Sequence, residues 1–255
     1  MIQTAQNLLQ GANDERFLKI RRNRSNSASF LNPGEILARH TRAMDAFARV
    51  AVVAAYLFLN VVTVCGTLHY IAMHDGPADA VFDLNVLARI AVAIFLATFM
   101  GFVTLRSRPR RKAAGLLPRI TAFTGSFMML SLPLFPAHEM PLHIALLSAV
   151  LIFVGDGLAV FVVWRLGRSV SLMAEARRLI TAGPYAIVRH PLYLVEEAAI
   201  LGIWLQFASP TTLAMLIVHA LFQFQRMLNE EQVLHAEFAE YESYASTTPR
   251  LIPGL

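Results

Sequence analysis

Apolar residues fall in long blocks separated by short polar stretches. Val50–Met73 is almost wholly apolar, and Leu84–Leu105 is broken only by Arg89 near one end. Ile120–Pro136 is shorter and uncharged, while Pro141–Trp164 is long and holds Asp156. Ala198–Gln225 then runs 28 residues without an acidic or basic (Asp, Glu, Lys, Arg) side chain, interrupted by "ASPTT" at 208–212. A membrane helix needs ~20 mostly apolar residues, with ~17 as the lower end. The first four blocks each predict a span. Pro210 lacks an amide donor and clashes with the preceding turn, so the last block predicts a hairpin of two shorter helices, 192–207 and 211–227. The expected fold is an all-α integral membrane protein of about six transmembrane helices, closed by a C-terminal helical hairpin.

The cations fit that arrangement. Segment 1–49 carries eight Lys and Arg, loop 106–119 six, loop 165–189 five and the segment after 225 two; the loops between carry none, and Arg89 is the remainder. Lys and Arg concentrate on the cytoplasmic side, so both termini are expected there. The hairpin is what returns the C-terminus to that face. Composition agrees: 56% of residues are hydrophobic and 15% charged, against about 25% charged in a soluble domain. The net charge of +5 reads as topology and attraction to anionic lipid, with no nucleic-acid partner implied. Twenty arginines against two lysines, Lys19 and Lys112, favour a bacterial inner membrane as the location. No cleavable signal peptide is expected, because the first apolar run starts near Val50. The single cysteine, Cys65, excludes an intrachain disulfide.

Three regions follow. Residues 1–48 form a basic cytoplasmic segment, in which 35–50 has helical apolar spacing suited to the membrane surface. Residues 49–164 form a four-helix membrane region. Residues 165–255 hold the polar chemistry. "TAGPYAIVRHPLYLVEEAAILG" at 181–202 places Arg189, His190, Tyr193, Glu196 and Glu197 at the mouth of an apolar segment. Gly183-Pro184 marks a turn, and Pro191 suits the first turn of a helix. That helix puts Tyr193 near Glu196 and Glu197, at i+3 and i+4. After the hairpin, "QRMLNEEQVL" brings Arg226 and Glu230 to one helix face, four residues apart. Two clusters distant in sequence thus meet at one end of the hairpin and can line a pocket. Interfacial anchoring explains an Arg-His pair or a lone Tyr equally well. Carboxylates inside a span are costly and face a cavity or a partner. Asp156 is one of these, and Arg89 is its candidate structural partner. His69, His74, His138 and His143 show no metal-ligand spacing, so no metal site is expected.

The pattern R-H-P-x-Y, then a hairpin, then R-x-x-x-E-E-x-x-L, then "EYESYASTTPRLIPGL" resembles the isoprenylcysteine carboxyl methyltransferase family, within a wider group that includes the phospholipid N-methyltransferases. The resemblance covers residues 177–254. It implies S-adenosylmethionine as methyl donor, bound at the cytoplasmic face. Its cofactor contacts would fall on Arg178, Leu179, Ile180, Tyr185, His190, Pro191, Leu192, Tyr193 and Glu230. Arg226 would meet the substrate, a lipid or other lipophilic molecule. Val195 stands where many relatives have a small glycine, and the Glu196-Glu197 pair is not general to the family.

The residue types suit that chemistry. The donor is already activated, so catalysis is positioning and exclusion of water. Glu230 suits the cofactor's amino group, His190 and the helix start its carboxylate, and Tyr185 and Tyr193 its adenine and sulfonium. Arg226 suits a carboxylate acceptor. Glu196 or Glu197 suits an amine, which must lose a proton first. Two other classes stay open on sequence: an NADPH-dependent sterol-type membrane reductase, which shares the R-H-P-x-Y hairpin, and a non-catalytic membrane protein.

Overall fold

The computed structural model describes residues 33–74, 80–136, 138 and 140–253. The basic stretch 1–32 lies outside the described residues. A helix, α1, runs Pro33–Ala72 and takes in the stretch 35–50. The chain divides into two units at Val50–Ala51, and the description below concerns the second.

Helix α2 is Ala80–Leu105. A two-residue strand β1, Arg111–Lys112, precedes α3, Leu117–Phe127, which tightens into a 3-10 stretch over Met128–Leu134. Helix α4 is Leu142–Leu166, and strand β2 is Glu175–Ala176. Helices α5, Pro191–Leu205, and α6, Pro210–Glu237, form the expected hairpin, and α7 is Tyr241–Thr247.

Three segments among the described residues are long and apolar enough to cross a membrane: 49–72, 80–105 and 142–169. They present apolar side chains outward, among them Phe58, Val61, Leu68, Ile94 and Phe153. The protein is a mostly helical membrane protein. The other three expected spans do not meet the same measure. Pro133 sits inside the 3-10 stretch that ends the third block, leaving α3 at 11 residues. Helix α5 has 15 residues. Helix α6 is long enough at 28, but its second half carries Arg226, Glu230 and Glu231.

Small residues set the closest packing. A Cβ built on Gly155 would meet the Ala199 backbone nitrogen at 2.8 Å, and one on Gly202 the Ser148 carbonyl at 2.7 Å. Helices α4 and α5 therefore touch backbone to backbone, the usual means of association where no hydrophobic drive exists between helices. Ser148 Oγ donates to the Gly202 carbonyl at 2.7 Å across this contact. Ala149 and Ile152 of α4 also pack in one buried cluster with Ala88 of α2. At the hairpin tip Pro210 opens α6, and Ser209 and Thr212 cap it reciprocally. The cap satisfies amides that the proline turn leaves free.

The strands are a departure from an all-helical chain. β1 and β2 pair antiparallel, Arg111 with Ala176 and Lys112 with Glu175. The ladder extends through Arg110 N to Ala176 O at 2.7 Å and Ala113 N to Ala174 O at 2.9 Å. Two-residue strands have no readable period. Their effect is to fasten the two cation-rich loops together beside the first residues of the polar region.

Candidate active site

The polar region is built on a turn, a helix start and a returning helix. Gly183 adopts φ +66, which favours glycine, and Pro184 follows it into a short 3-10 turn, Gly183–Ala186. Pro191 is the first residue of α5. His190 and Tyr193 are consequently held at the helix mouth, both buried. The hairpin returns α6 alongside, so that Tyr193 Oη donates to Glu230 Oε1 at 2.5 Å and His190 Nε2 meets Glu231 Oε1 at 3.0 Å.

These elements surround a cavity of about 260 Å³. It is lined by Arg177–Ile180, Tyr185, His190, Glu230 and Tyr244, and by Asp156, Glu196, His219, Gln223 and apolar side chains of α1 to α3. Ten of the twelve expected site residues line it: Arg178, Leu179, Ile180, Tyr185, His190, Leu192, Tyr193, Glu196, Arg226 and Glu230. Pro191 does not; it is buried in the helix mouth. Glu197 does not either, because α5 turns it toward α6, where it accepts from His219 Nε2 at 2.9 Å.

Arg226 shares a helix face with Glu230 but bonds elsewhere: Nη1 donates to Gln223 Oε1 and Nη2 to the Leu172 carbonyl, both at 3.1 Å, and its guanidinium lies 5.1 Å from the Tyr193 ring centroid. Burial rewards any acceptor that satisfies a fixed donor, and Gln223 is one turn back on the same helix. Arg89 does not reach Asp156; it stands over the Tyr70 ring at 4.7 Å.

Sequence reading missed Glu231, which organises the outer wall. It accepts from Arg250 Nη2 at 2.6 Å and Nε at 3.0 Å, and pairs with Arg189 Nη1 at 3.2 Å and with His190. Burial pushes its carboxyl up, but the bonds from His190 and Arg250 and the charges of His190 and Arg189 outweigh that and hold it at about 2. The backbone joins the same contact: Arg189 N donates to Pro249 O at 2.8 Å and His190 N to Arg250 O at 3.1 Å. Tyr244 Oη donates to the Tyr185 carbonyl at 2.6 Å. Residues 241–250 thus fix the turn that carries Tyr185 and His190. Burial, then the charges of Glu230 and Glu196, push the Tyr185 hydroxyl well above its ordinary range, so it stays a donor. The signal for Glu231 was the adjacent pair Glu230-Glu231, which helical geometry splits by about 100° onto two neighbours. His219, a lone histidine inside an uncharged run, was the other missed residue.

The cavity wall holds unsatisfied buried donors, among them Arg177 Nη1 and Arg226 Nε. With Glu230 as an anion and Leu179, Ile180 and Tyr185 as flat apolar wall, the donor set fits a zwitterionic nucleoside-type cofactor. Among the described residues no three His, Cys, Asp or Glu side chains converge as metal ligands would.

A buried polar cavity thus lies at the mouth of the helical hairpin α5–α6. Residues 144–241 match the phospholipid methyltransferase family, which includes the isoprenylcysteine carboxyl methyltransferases. Members of that family are methyltransferases. The chain is similar to the nickel-cobalt-cadmium resistance protein NccN of Alcaligenes xylosoxydans xylosoxydans, 31% identical over 112 residues, which is 43% of this chain and 53% of that protein. It is also similar to the cobalt-zinc-cadmium resistance protein CzcN of Cupriavidus metallidurans, 33% identical over 78 residues, 30% of this chain and 36% of that protein. The match spans about half of the first relative and about a third of the second.

Proposed function

We propose that this protein is an S-adenosylmethionine-dependent methyltransferase acting on a lipophilic acceptor, like the isoprenylcysteine carboxyl methyltransferases in its cofactor site. The observation that carries the reading is that two sequence-distant clusters line one cavity, bridged by the Tyr193–Glu230 bond and shared with apolar side chains of α1 to α3. The donor, when bound, supplies an activated methyl group. The chain's own residues do the rest. Glu230, fixed by Tyr193, holds an ammonium; Arg178 and the buried Arg177 face a carboxylate; Leu179, Ile180 and Tyr185 exclude water around a base. The lipophilic acceptor lies along these apolar side chains, with its head group toward Tyr193 and Arg226. Both termini are assigned to the cytoplasmic side of a bacterial inner membrane, on the distribution of Lys and Arg among the loops. The metal-resistance names of the relatives add no metal to this reading.

The test is calorimetric titration of the protein in nanodiscs with S-adenosylhomocysteine and, separately, NADP⁺, with Glu230→Ala in parallel. Binding of the first, weakened at least ~10-fold in the variant as expected for a lost charge-assisted bond, supports the proposal. Binding of NADP⁺ alone would make the protein a reductase. Binding of neither by folded protein would leave a non-catalytic membrane protein.

A further inference from the structure

Helix α1 contributes a polar group to the cavity. Tyr56 lines it beside Leu59, Phe95 and Phe99, and belongs to the same unit as the rest of the lining. Its ring is fixed on two sides. It stacks on Phe99 with centroids 4.6 Å apart and meets Phe127 edge-on at 6.1 Å. The residue is 8% exposed and sits in one apolar cluster with Phe99, Val103 and Leu172. These contacts account for an aromatic ring and not for its hydroxyl. Phenylalanine would make all of them.

The Tyr56 hydroxyl makes no hydrogen bond with any described residue. It is not closed off within the packing either. The charges of Glu196 and Arg226, two other cavity residues, reach it. The oxygen therefore opens on the cavity where the apolar lining of α1 to α3 gives way to the polar groups of α5 and α6. A buried tyrosine hydroxyl ordinarily finds a partner, and one left without costs stability. A phenol both donates and accepts, so it can bond a ligand's polar end whatever the charge of that end. Tyr56 also stands outside residues 144–241, the segment that matches the phospholipid methyltransferase family, so the match assigns it no role.

We infer that Tyr56 positions the methyl acceptor: its hydroxyl bonds the acceptor's polar end, and its ring, held by Phe99 and Phe127, borders the start of the apolar tail. The inference rests on the methyltransferase reading for the purpose of the site. Methyl transfer needs the acceptor atom close to the methyl carbon and in line with the departing sulfur, and a misplacement of about 1 Å costs about 100-fold in rate. Apolar contact is non-directional, so an apolar wall alone lets a lipophilic chain slide along it. One directional bond at the junction of polar and apolar lining stops the slide. The clamp on the ring keeps the hydroxyl from swinging away. The part played by Tyr56 is position and not proton transfer.

The experiment uses the full chain in phosphatidylcholine nanodiscs with saturating S-adenosylhomocysteine. Hexadecanol, hexadecylamine and hexadecanoate are titrated into wild type and Tyr56→Phe and followed by protein fluorescence, with hexadecane as the probe that has the tail and no head. Each probe is compared between the two proteins, so its partitioning into lipid cancels. The expected result is that at least one head group tightens binding over hexadecane in wild type, and that Tyr56→Phe removes about 3–10-fold of that gain, as for one lost hydrogen bond. Hexadecane should bind both proteins alike, so the loss belongs to the pair of head group and hydroxyl. Affinity for S-adenosylhomocysteine should stay within about twofold in the variant, which also reports that it folds. Head-group gains that are absent in wild type, or that Tyr56→Phe leaves unchanged for all three probes, overturn the inference. So does a loss confined to S-adenosylhomocysteine, which would place Tyr56 in the cofactor's site. A head-group gain that depends on Tyr56, in a protein that does not bind S-adenosylhomocysteine, would retain the contact and refute the methyltransferase reading.

Discussion

Glu231→Gln is the substitution that probes the outer wall most directly. Glutamine keeps an acceptor of the same shape but removes the charge that faces Arg189, His190 and Arg250. The carboxyl is held at about 2 in the fold against 4.5 for a free glutamate side chain, a difference of roughly 3 kcal/mol at 1.36 kcal/mol per unit. The carboxylate is 12% exposed, but Arg250 is 34% exposed and partly screened by solvent, which trims the figure to about 2 kcal/mol. For a chain of this size that is about 4–8 °C in unfolding temperature. The pH dependence has a definite sign. A carboxyl lowered on folding stabilises the protein above its unfolded value and loses that contribution as pH falls through the folded one. The gap between wild type and variant should therefore be constant from neutral pH down to about 5, then narrow as pH falls from 4.5 toward about 2. Because His190 loses its orienting partner, affinity for S-adenosylhomocysteine should fall about 10-fold at neutral pH. Thermal unfolding and calorimetry in nanodiscs at pH 7, 5 and 3 measure both quantities. A variant that melts with the wild type at pH 7, or a gap that persists unchanged to pH 3, would refute the assignment of Glu231 as the charge that pins the wall.

Other outcomes follow from single contacts. Tyr193→Phe removes the 2.5 Å bond to Glu230 and should weaken S-adenosylhomocysteine binding by about 10-fold through 1–2 kcal/mol, with little change in folding, read by calorimetry. Gly202→Ala places a Cβ 2.7 Å from a backbone oxygen of α4, and should cost about 1–3 kcal/mol or more, read as lost monodisperse protein and a lower unfolding temperature. Gly125→Ala instead meets the Gln223 side-chain oxygen at 2.7 Å; the flexible amide can move, so the fold should survive while ligand affinity falls as Arg226 loses its Nη1 acceptor. Gly157→Ala meets nothing within 4 Å, and should be neutral or slightly stabilising in the same assays.

The hairpin and its contents were readable because proline acts locally. Pro191 and Pro210 each open a helix where the backbone loses a donor anyway, and the intervening block had nowhere else to turn. The strand pair was not readable, since Arg111–Lys112 and Glu175–Ala176 acquire their conformation from each other and not from a period. The bonds of Arg226 were not readable for a related reason. The i, i+4 rule describes helix surfaces in water, whereas a buried guanidinium bonds whatever acceptors the packing supplies, here Gln223 and the Leu172 carbonyl. Glu197 failed as a cavity residue because one step of helix rotation, about 100° from Glu196, carries it to His219. Sequence placed the polar groups in the right neighbourhood but did not give their phases.

Paired and unpaired carboxylates around the cavity answer to different demands. Glu175 is closed by Arg177 at 2.6 Å and by Ser171 at 2.8 Å, and Glu231 by Arg189, His190 and Arg250. Each of these has its charge answered within the protein, so its first role is to hold the wall in place. Asp156 and Glu196 have no such closure, and Asp156 sits at the middle of a 25-residue apolar helix where alanine would pack as well. Burying a carboxyl group without a hydrogen-bonding partner costs a fold stability. A chain that keeps two of them facing one cavity gives up stability that an apolar wall would recover. On this argument Asp156→Ala should melt higher than wild type in empty nanodiscs. A wild type that melts above Asp156→Ala without any ligand would mean that Asp156 is scaffold after all, with a protein partner for its carboxylate.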